Sequence, residues 1–253
     1  MDLGLTDRVF VITAASSGLG LATAEQLLAE GARVVLVARS GDRLAEHRAR
    51  LGEDRVVTLT ADLTDAEVPD RASRLALDTF GRLDGSFISV GGPPGGSALS
   101  NTDEQWREAF ESVFLATIRA ISATVEHGTA DDLAIGLVLS TSVRTWLPGL
   151  TISNGLRPGL ANLVSQYAAE LGPRGVRVFG LMPGSIATNR LTRTLQGSDD
   201  PEQALREVAA GIPLRRIGEP AEFGRVACFL LSPAASYVSG TVIPVDGAVL
   251  PTP

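Results

Sequence analysis

Runs of five to seven aliphatic and β-branched residues alternate along the chain with longer segments whose apolar positions recur at three- and four-residue spacing. Runs with no internal polar alternation mark strands buried on both faces, and their alternation with amphipathic helices predicts βαβ units feeding a parallel sheet. Strands are predicted at 8–13 (RVFVIT), 33–38 (RVVLVA), 55–60 (RVVTLT), 85–90 (GSFISV), 134–140 (AIGLVLS), 176–182 (VRVFGLM) and 241–245 (TVIPV). Helices are predicted over 18–30, 41–51, 66–80, 102–126, 158–171 and 219–231, with Gly31 and Gly172 placed to end the first and fifth. Right-handed crossovers then give a Rossmann-like, doubly wound α/β fold: a seven-stranded parallel sheet in a three-layer α/β/α sandwich.

Two segments interrupt the alternation. Residues 91–106 (GGPPGGSALSNTDEQW) read as a Gly/Pro-rich loop leading into a helix, and about 185–216 as a long polar insertion, a candidate lid. No internal repeat is present, and 253 residues suit a single dinucleotide-binding domain spanning 1–253.

Composition narrows the function. Hydrophobic residues make up 44% and charged residues 20%, and no apolar run approaches the roughly 18 residues of a membrane span. The first twenty residues lack a basic segment followed by an apolar run and a cleavage site, so a cytoplasmic location is expected. A net charge of −7 with scattered arginines argues against a nucleic-acid partner. Cys228, inside VACFLL, reads as a buried hydrophobe, and His47 and His127 are too isolated for a metal site and are expected at the surface. All 22 basic residues are arginine, which excludes any function that requires lysine; tyrosine occurs only at 167 and 237.

After the first strand comes Thr13-Ala-Ala-Ser-Ser-Gly-Leu-Gly20 and then a helix. Small residues between a strand and a helix let the backbone approach a pyrophosphate, which the free N–H groups and positive end of the helix stabilise. Thr13, Ser16, Ser17, Gly18, Leu19 and Gly20 are therefore candidate cofactor contacts, the alternative being an ordinary tight turn. At the end of the second strand, where an acidic residue would bind the ribose of NAD, stands Arg39, suited to a 2′-phosphate and so to NADP over NAD unless it is simply solvated. In ADLTD after the third strand, Asp62, followed by Leu63, could cap the next helix or accept from the adenine amino group.

Over nearly its whole length the chain resembles the short-chain dehydrogenase/reductase family. The glycine loop is similar to that family's Thr-Gly-x-x-x-Gly-x-Gly with Ala14 at the first glycine, and Ile88-Ser89-Val90-Gly91 stands where Asn-Asn-Ala-Gly is usual. YAAELGPRGVRV (167–178), MPGSIAT (182–188) and SGTVIPVDGA (239–248) match further elements. The resemblance implies that Gly91, Pro183, Gly184, Ile186 and Thr188 line the nicotinamide end, and that 185–216 covers the substrate. Trp106, Phe110 and Phe114, spaced four apart, read as a core stripe, and the resemblance also implies a homodimer or homotetramer with that helix at a subunit contact.

At the catalytic positions the chain departs from the family. Counting back from Glu170 sets Tyr-x-x-x-Lys on Ser153-Asn-Gly-Leu-Arg157, and counting forward from Trp106 sets the helix asparagine on Val113. Only the serine survives, as Ser140, with Ser142 a near alternative; the combination of GGPPGG with SNGLR resembles a divergent subgroup related to β-ketoacyl carrier-protein reductases. A serine is a far weaker acid than a phenol, and an arginine keeps the charge of lysine without easily releasing a proton. Because proline inside a helix costs about 3 kcal/mol, the helix is expected to start at Pro158, leaving Ser153 and Arg157 in the preceding loop. There they either keep a catalytic role or are a turn residue and a solvated charge.

Three functions remain open at this point: an NADP-binding oxidoreductase of a small carbonyl or alcohol with a non-standard proton donor, a redox-inactive nucleotide or metabolite binder, and a non-redox enzyme performing elimination or isomerisation in the same cleft.

Overall fold

The structure is a computed structural model that describes residues 1–195, 197 and 200–250. Three positions of the expected lid, Gln196, Ser198 and Asp199, lie outside them. The described residues form a seven-stranded sheet of order β3-β2-β1-β4-β5-β6-β7. The strands are β1 (Val9–Thr13), β2 (Arg33–Ala38), β3 (Val56–Thr60), β4 (Gly85–Ile88), β5 (Ala134–Val138), β6 (Arg177–Pro183) and β7 (Val242–Val245). Every pairing is parallel.

Side-chain alternation along each strand builds two cores. Phe10 and Ile12 of β1, Val34 and Leu36 of β2, and Phe179 and Leu181 of β6 point to one face, where they pack with Leu27 of α1 (Gly18–Ala29), Leu44 of α2 (Gly41–Leu51) and Phe223 of α9 (Pro220–Leu231). Val9, Val11, Val35 and Val37 point to the other, against α3 (Val68–Phe80). Ile135, Leu137 and Val178 continue that second face against α5 (Ala116–His127) and α6 (Thr151–Leu171). Covered on both sides, the strands need no polar face, which is why their sequences read as unbroken apolar runs.

Two helical expectations change. The helix expected at 102–126 begins as α4 (Asp103–Ala109), where a reciprocal Thr102–Gln105 cap starts it, and then passes through a π-helical stretch, Phe110–Leu115, into α5. The polar insertion carries α7 (Asn189–Leu195) and α8 (Pro201–Gly211); Asp200 starts α8 by accepting from the Gln203 N–H at 2.9 Å, a start signal the sequence reading passed over.

The larger correction is at Pro158, which lies inside α6 instead of starting it. The lost hydrogen bond is offset by what the first two turns of α6 bury. Ile152 is fully buried and Leu156 nearly so, each worth about 1.5–3 kcal/mol, which together outweigh the roughly 3 kcal/mol cost of the proline. The start of the helix is also anchored: Asn154 exchanges two hydrogen bonds with the Leu147 backbone, and the Thr151 hydroxyl donates to Gly96 O at 3.1 Å. No described helix is long and apolar enough to cross a membrane.

Candidate active site

The order of the sheet reverses between β1 and β4, where connections leaving to opposite sides open a crevice at the carboxyl ends of the strands. The glycine loop occupies it. Gly18 has φ +61°, a conformation L side chains avoid, and an added Cβ at Gly20 would lie 2.8 Å from Thr13 O and 3.0 Å from Ala14 O. The α1 terminus is left open to an anion: Ser17 makes no side-chain cap, and the first turn holds no acidic residue. The loop therefore fits a dinucleotide pyrophosphate, for which Ser16, Ser17, Gly18, Leu19 and Gly20 are the candidate contacts.

The Thr13 hydroxyl donates to Ser89 O at 2.6 Å and accepts from the Ser89 N–H at 2.9 Å, tying β1 to the segment after β4. His47, expected at the surface, is half-buried with Nε2 3.1 Å from Ser16 O. His127, also half-buried, lies with Nε2 2.6 Å from Asp70 Oδ1. Cys228 is buried, which pushes its thiol up to about 12. Among the described residues no group of three or more His, Cys, Asp or Glu could hold a metal.

Beyond the loop, Arg39 follows β2 with its side chain 81% exposed and Nη1 3.7 Å from Asp62 Oδ2. Asp62 does not cap α3, which starts six residues later; its Oδ1 accepts from the Thr64 N–H and hydroxyl, each at 3.0 Å. The Thr64 backbone bond lowers the Asp62 carboxyl below its ordinary range, and Arg39 adds to that. The neighbouring Leu63 packs against the β1–β2 side of the core. Gly91 meets nothing within 4 Å and borders open space. On the far rim, Gly184 donates to Val245 O at 3.0 Å and presses on Asp246, Pro183 ends β6, Ile186 bridges to Gly218, and the Thr188 methyl would lie 3.6 Å from a Cβ on Gly18.

The Pro158 correction changes the catalytic end. Ser153 and Arg157 sit one turn apart on α6 and are buried, with residue exposures of 3% and 5%, so neither the solvated arginine nor the turn-forming serine applies. Arg157 Nη1 donates to Val138 O at 2.8 Å. Burial lowers the guanidinium from its ordinary range to about 10, and the positive charge of Arg190 adds to this. Ser153 Oγ is 3.4 Å from Ser142 Oγ, and Ser142 N–H donates to Ser140 Oγ at 3.1 Å. Ser140, Ser142 and Ser153 are thus linked, Ser142 being the one hydrogen-bonded to Ser153, with Arg157 one turn further along α6. Val113 is buried in the adjoining core and Trp146 is 73% exposed.

Arg190 of α7 was not singled out by sequence reasoning. An added Cβ on Gly92 would overlap its guanidinium, which fixes that group at the loop after β4. The only sequence signal was its place two residues after the MPGSIAT element. Trp106 and Phe114 lie over Gly155 and Gly159 of α6, while Phe110 stacks on Phe114 with centroids 5.1 Å apart and stays 42% exposed.

A family model described as Enoyl-(Acyl carrier protein) reductase matches residues 13–249. Levodione reductase of Leifsonia aquatica is 32% identical over 256 residues, covering 96% of this chain and 94% of its own. L-sorbose reductase of Gluconobacter frateurii, crystallised with NADPH and L-sorbose, superimposes with a TM-score of 0.94 at 31% identity and full coverage of both chains. A short chain oxidoreductase of Pseudomonas aeruginosa PAO1, described as containing an atypical catalytic center and solved with NADPH bound, gives 0.90 at 30% identity, covering 98% of this chain and 100% of its own. Glycine loop, sheet order and carboxy-terminal elements agree with these matches, and the chain belongs to the short-chain dehydrogenase/reductase family.

Proposed function

We propose that this chain is an NADP(H)-dependent oxidoreductase that interconverts a small carbonyl compound and its alcohol at a site lacking the Tyr-x-x-x-Lys pair. The observation that carries the reading is Arg39, an exposed guanidinium immediately after β2, the strand whose Val37 O accepts from the Ala15 N–H of the glycine loop. A pyrophosphate over the glycine loop and a 2′-phosphate on Arg39 satisfy both positive features at once. The relatives solved with NADPH support the same choice. We also place the protein in the cytoplasm as a single-domain homodimer or homotetramer, joined through the face that exposes Phe110.

When bound, the nicotinamide supplies or accepts the hydride at the substrate carbon. The chain must manage the oxygen. Arg157, charged at neutral pH even with its lowered pKa, favours negative charge developing on that oxygen and can hold ribose hydroxyls. The linked Ser140, Ser142 and Ser153 orient the oxygen and pass it a proton that comes from solvent, because none of the three is acidic enough to be the source.

Titration of the full chain with NADPH and NADH, followed by turnover on a carbonyl panel, tests this. Tighter NADPH binding with turnover supports the reading; no binding of either sinks it. Binding without turnover would favour the redox-inactive binder or the non-redox enzyme. Arg39→Ala is expected to weaken NADPH binding by about 10- to 100-fold, the loss of a charge-assisted phosphate contact, while leaving NADH binding nearly unchanged.

A further inference from the structure

The glycine loop contains a strained residue. Ala14 sits at φ +50°, in the left-handed region that a β-carbon disfavours and a glycine would accept, so the loop needs a hold from outside. One comes from the sheet: the Ala15 N–H donates to Val37 O at 3.1 Å. The next comes from a side chain. His47, on α2, has Nε2 3.1 Å from Ser16 O. A carbonyl only accepts, so Nε2 carries the hydrogen of this bond. On the other side of the ring, Nδ1 lies 3.4 Å from Arg50 Nη2, and a guanidinium only donates, so Nδ1 offers its lone pair. The same Nη2 donates to Glu25 Oε1 of α1 at 2.5 Å. Both neighbours together fix the ring as its Nε2–H tautomer, anchored to both helices that flank the loop.

The bond also sets a direction. The Ser16–Ser17 peptide is trans, and in a trans peptide the carbonyl and the N–H point opposite ways. With Ser16 O drawn to His47, the Ser17 N–H is turned away from α2. Ser17 is the extended residue that starts α1, and its N–H donates to no group among the described residues. Resting on the oxidoreductase reading above, we propose that His47 is a positioning residue for the cofactor. It holds the Ser16–Ser17 peptide so that the Ser17 N–H joins the free N–H groups of the α1 terminus as a donor to the pyrophosphate. The pyrophosphate is common to both dinucleotides, so His47 sets the affinity for NADPH and NADH alike, whereas Arg39 separates them.

The test compares His47→Leu with His47→Gln in the full chain. Leucine is tolerated in a helix but donates nothing, while the glutamine amide can still donate to Ser16 O. In fluorescence titrations His47→Leu should raise the Kd for NADPH and for NADH by the same factor, about 3- to 10-fold, and His47→Gln should return most of the loss. Unchanged Kd values in His47→Leu, a loss confined to NADPH, or a glutamine variant as weak as the leucine one overturns the proposal. A second readout needs no cofactor. His47 and His127 are the only histidines, so imidazole nitrogen NMR of the free chain should report His47 as the Nε2–H tautomer. The Ser17 amide signal should move in His47→Leu and return in His47→Gln. An Nδ1–H tautomer, or a Ser17 amide indifferent to both substitutions, also overturns it. If the parent chain binds neither dinucleotide, the oxidoreductase reading falls separately, and the same spectra still decide whether His47 holds the loop.

Discussion

Replacing Arg177 by Met is expected to destabilise the fold by about 2–4 kcal/mol, read as a lower denaturant midpoint at unchanged slope. Arg177 opens β6 and is buried beneath the end of α9. Its Nη1 donates to Leu230 O at 2.8 Å and Val238 O at 3.4 Å, and its Nη2 to Ser232 O at 3.0 Å and Leu231 O at 3.5 Å. The last carbonyls of a helix have no partners within it, and here one guanidinium serves them. Methionine fills similar volume but donates nothing, so these acceptors would be left buried and unpaired, at about 1–3 kcal/mol for each of the two closer bonds. Burial lowers the Arg177 pKa, so part of that loss is returned when the charge is removed, which keeps the net effect below the sum. Against a total stability of about 5–15 kcal/mol, the variant should remain folded but unfold at a distinctly lower midpoint.

Replacing Arg157 by Met should do the opposite. With one hydrogen bond to Val138 O and no carboxylate partner among the described residues, Arg157 bears a desolvation penalty that little offsets. The fall from the ordinary arginine range to about 10 corresponds to about 3 kcal/mol, at roughly 1.4 kcal/mol for each tenfold change in proton affinity. Between about 10 and that ordinary range the unfolded chain binds more protons than the folded one, so this group makes stability rise as pH climbs through that window. Below about 10 both states carry the charge and the penalty is constant. Arg157→Met should therefore be more stable than the parent chain by about 1–3 kcal/mol, equally across neutral pH, while losing turnover. A destabilised variant with normal turnover would show the charge to be structural.

The contrast between these two buried arginines explains what was legible in the chain. Local signals were enough wherever a few adjacent residues decide the outcome. Unbroken apolar runs located all seven strands, small residues at 13–20 located the turn between β1 and α1, and the place of Arg39 at the end of β2 separated NADP from NAD as an expectation. Each depends on period, backbone freedom or charge at one point along the chain.

The start of α6 was decided differently. Pro158 argued locally for a helix beginning there, and burial of Ile152 and Leu156 overrode it, carrying Ser153 and Arg157 from an expected loop into the core. Sequence spacing set Ser140, Ser142 and Ser153 in register but could not say which hydroxyls meet. The arrival of Arg190 at Gly92, 98 positions away in the chain, left no local trace beyond its place just after MPGSIAT. By itself, then, the sequence determined the fold, the glycine turn after β1 and the absence of any lysine, because backbone propensity and composition are local properties. The tertiary structure alone decided which charges share the crevice, because that depends on packing between segments remote in sequence, whose burial energies exceed the local preferences they override.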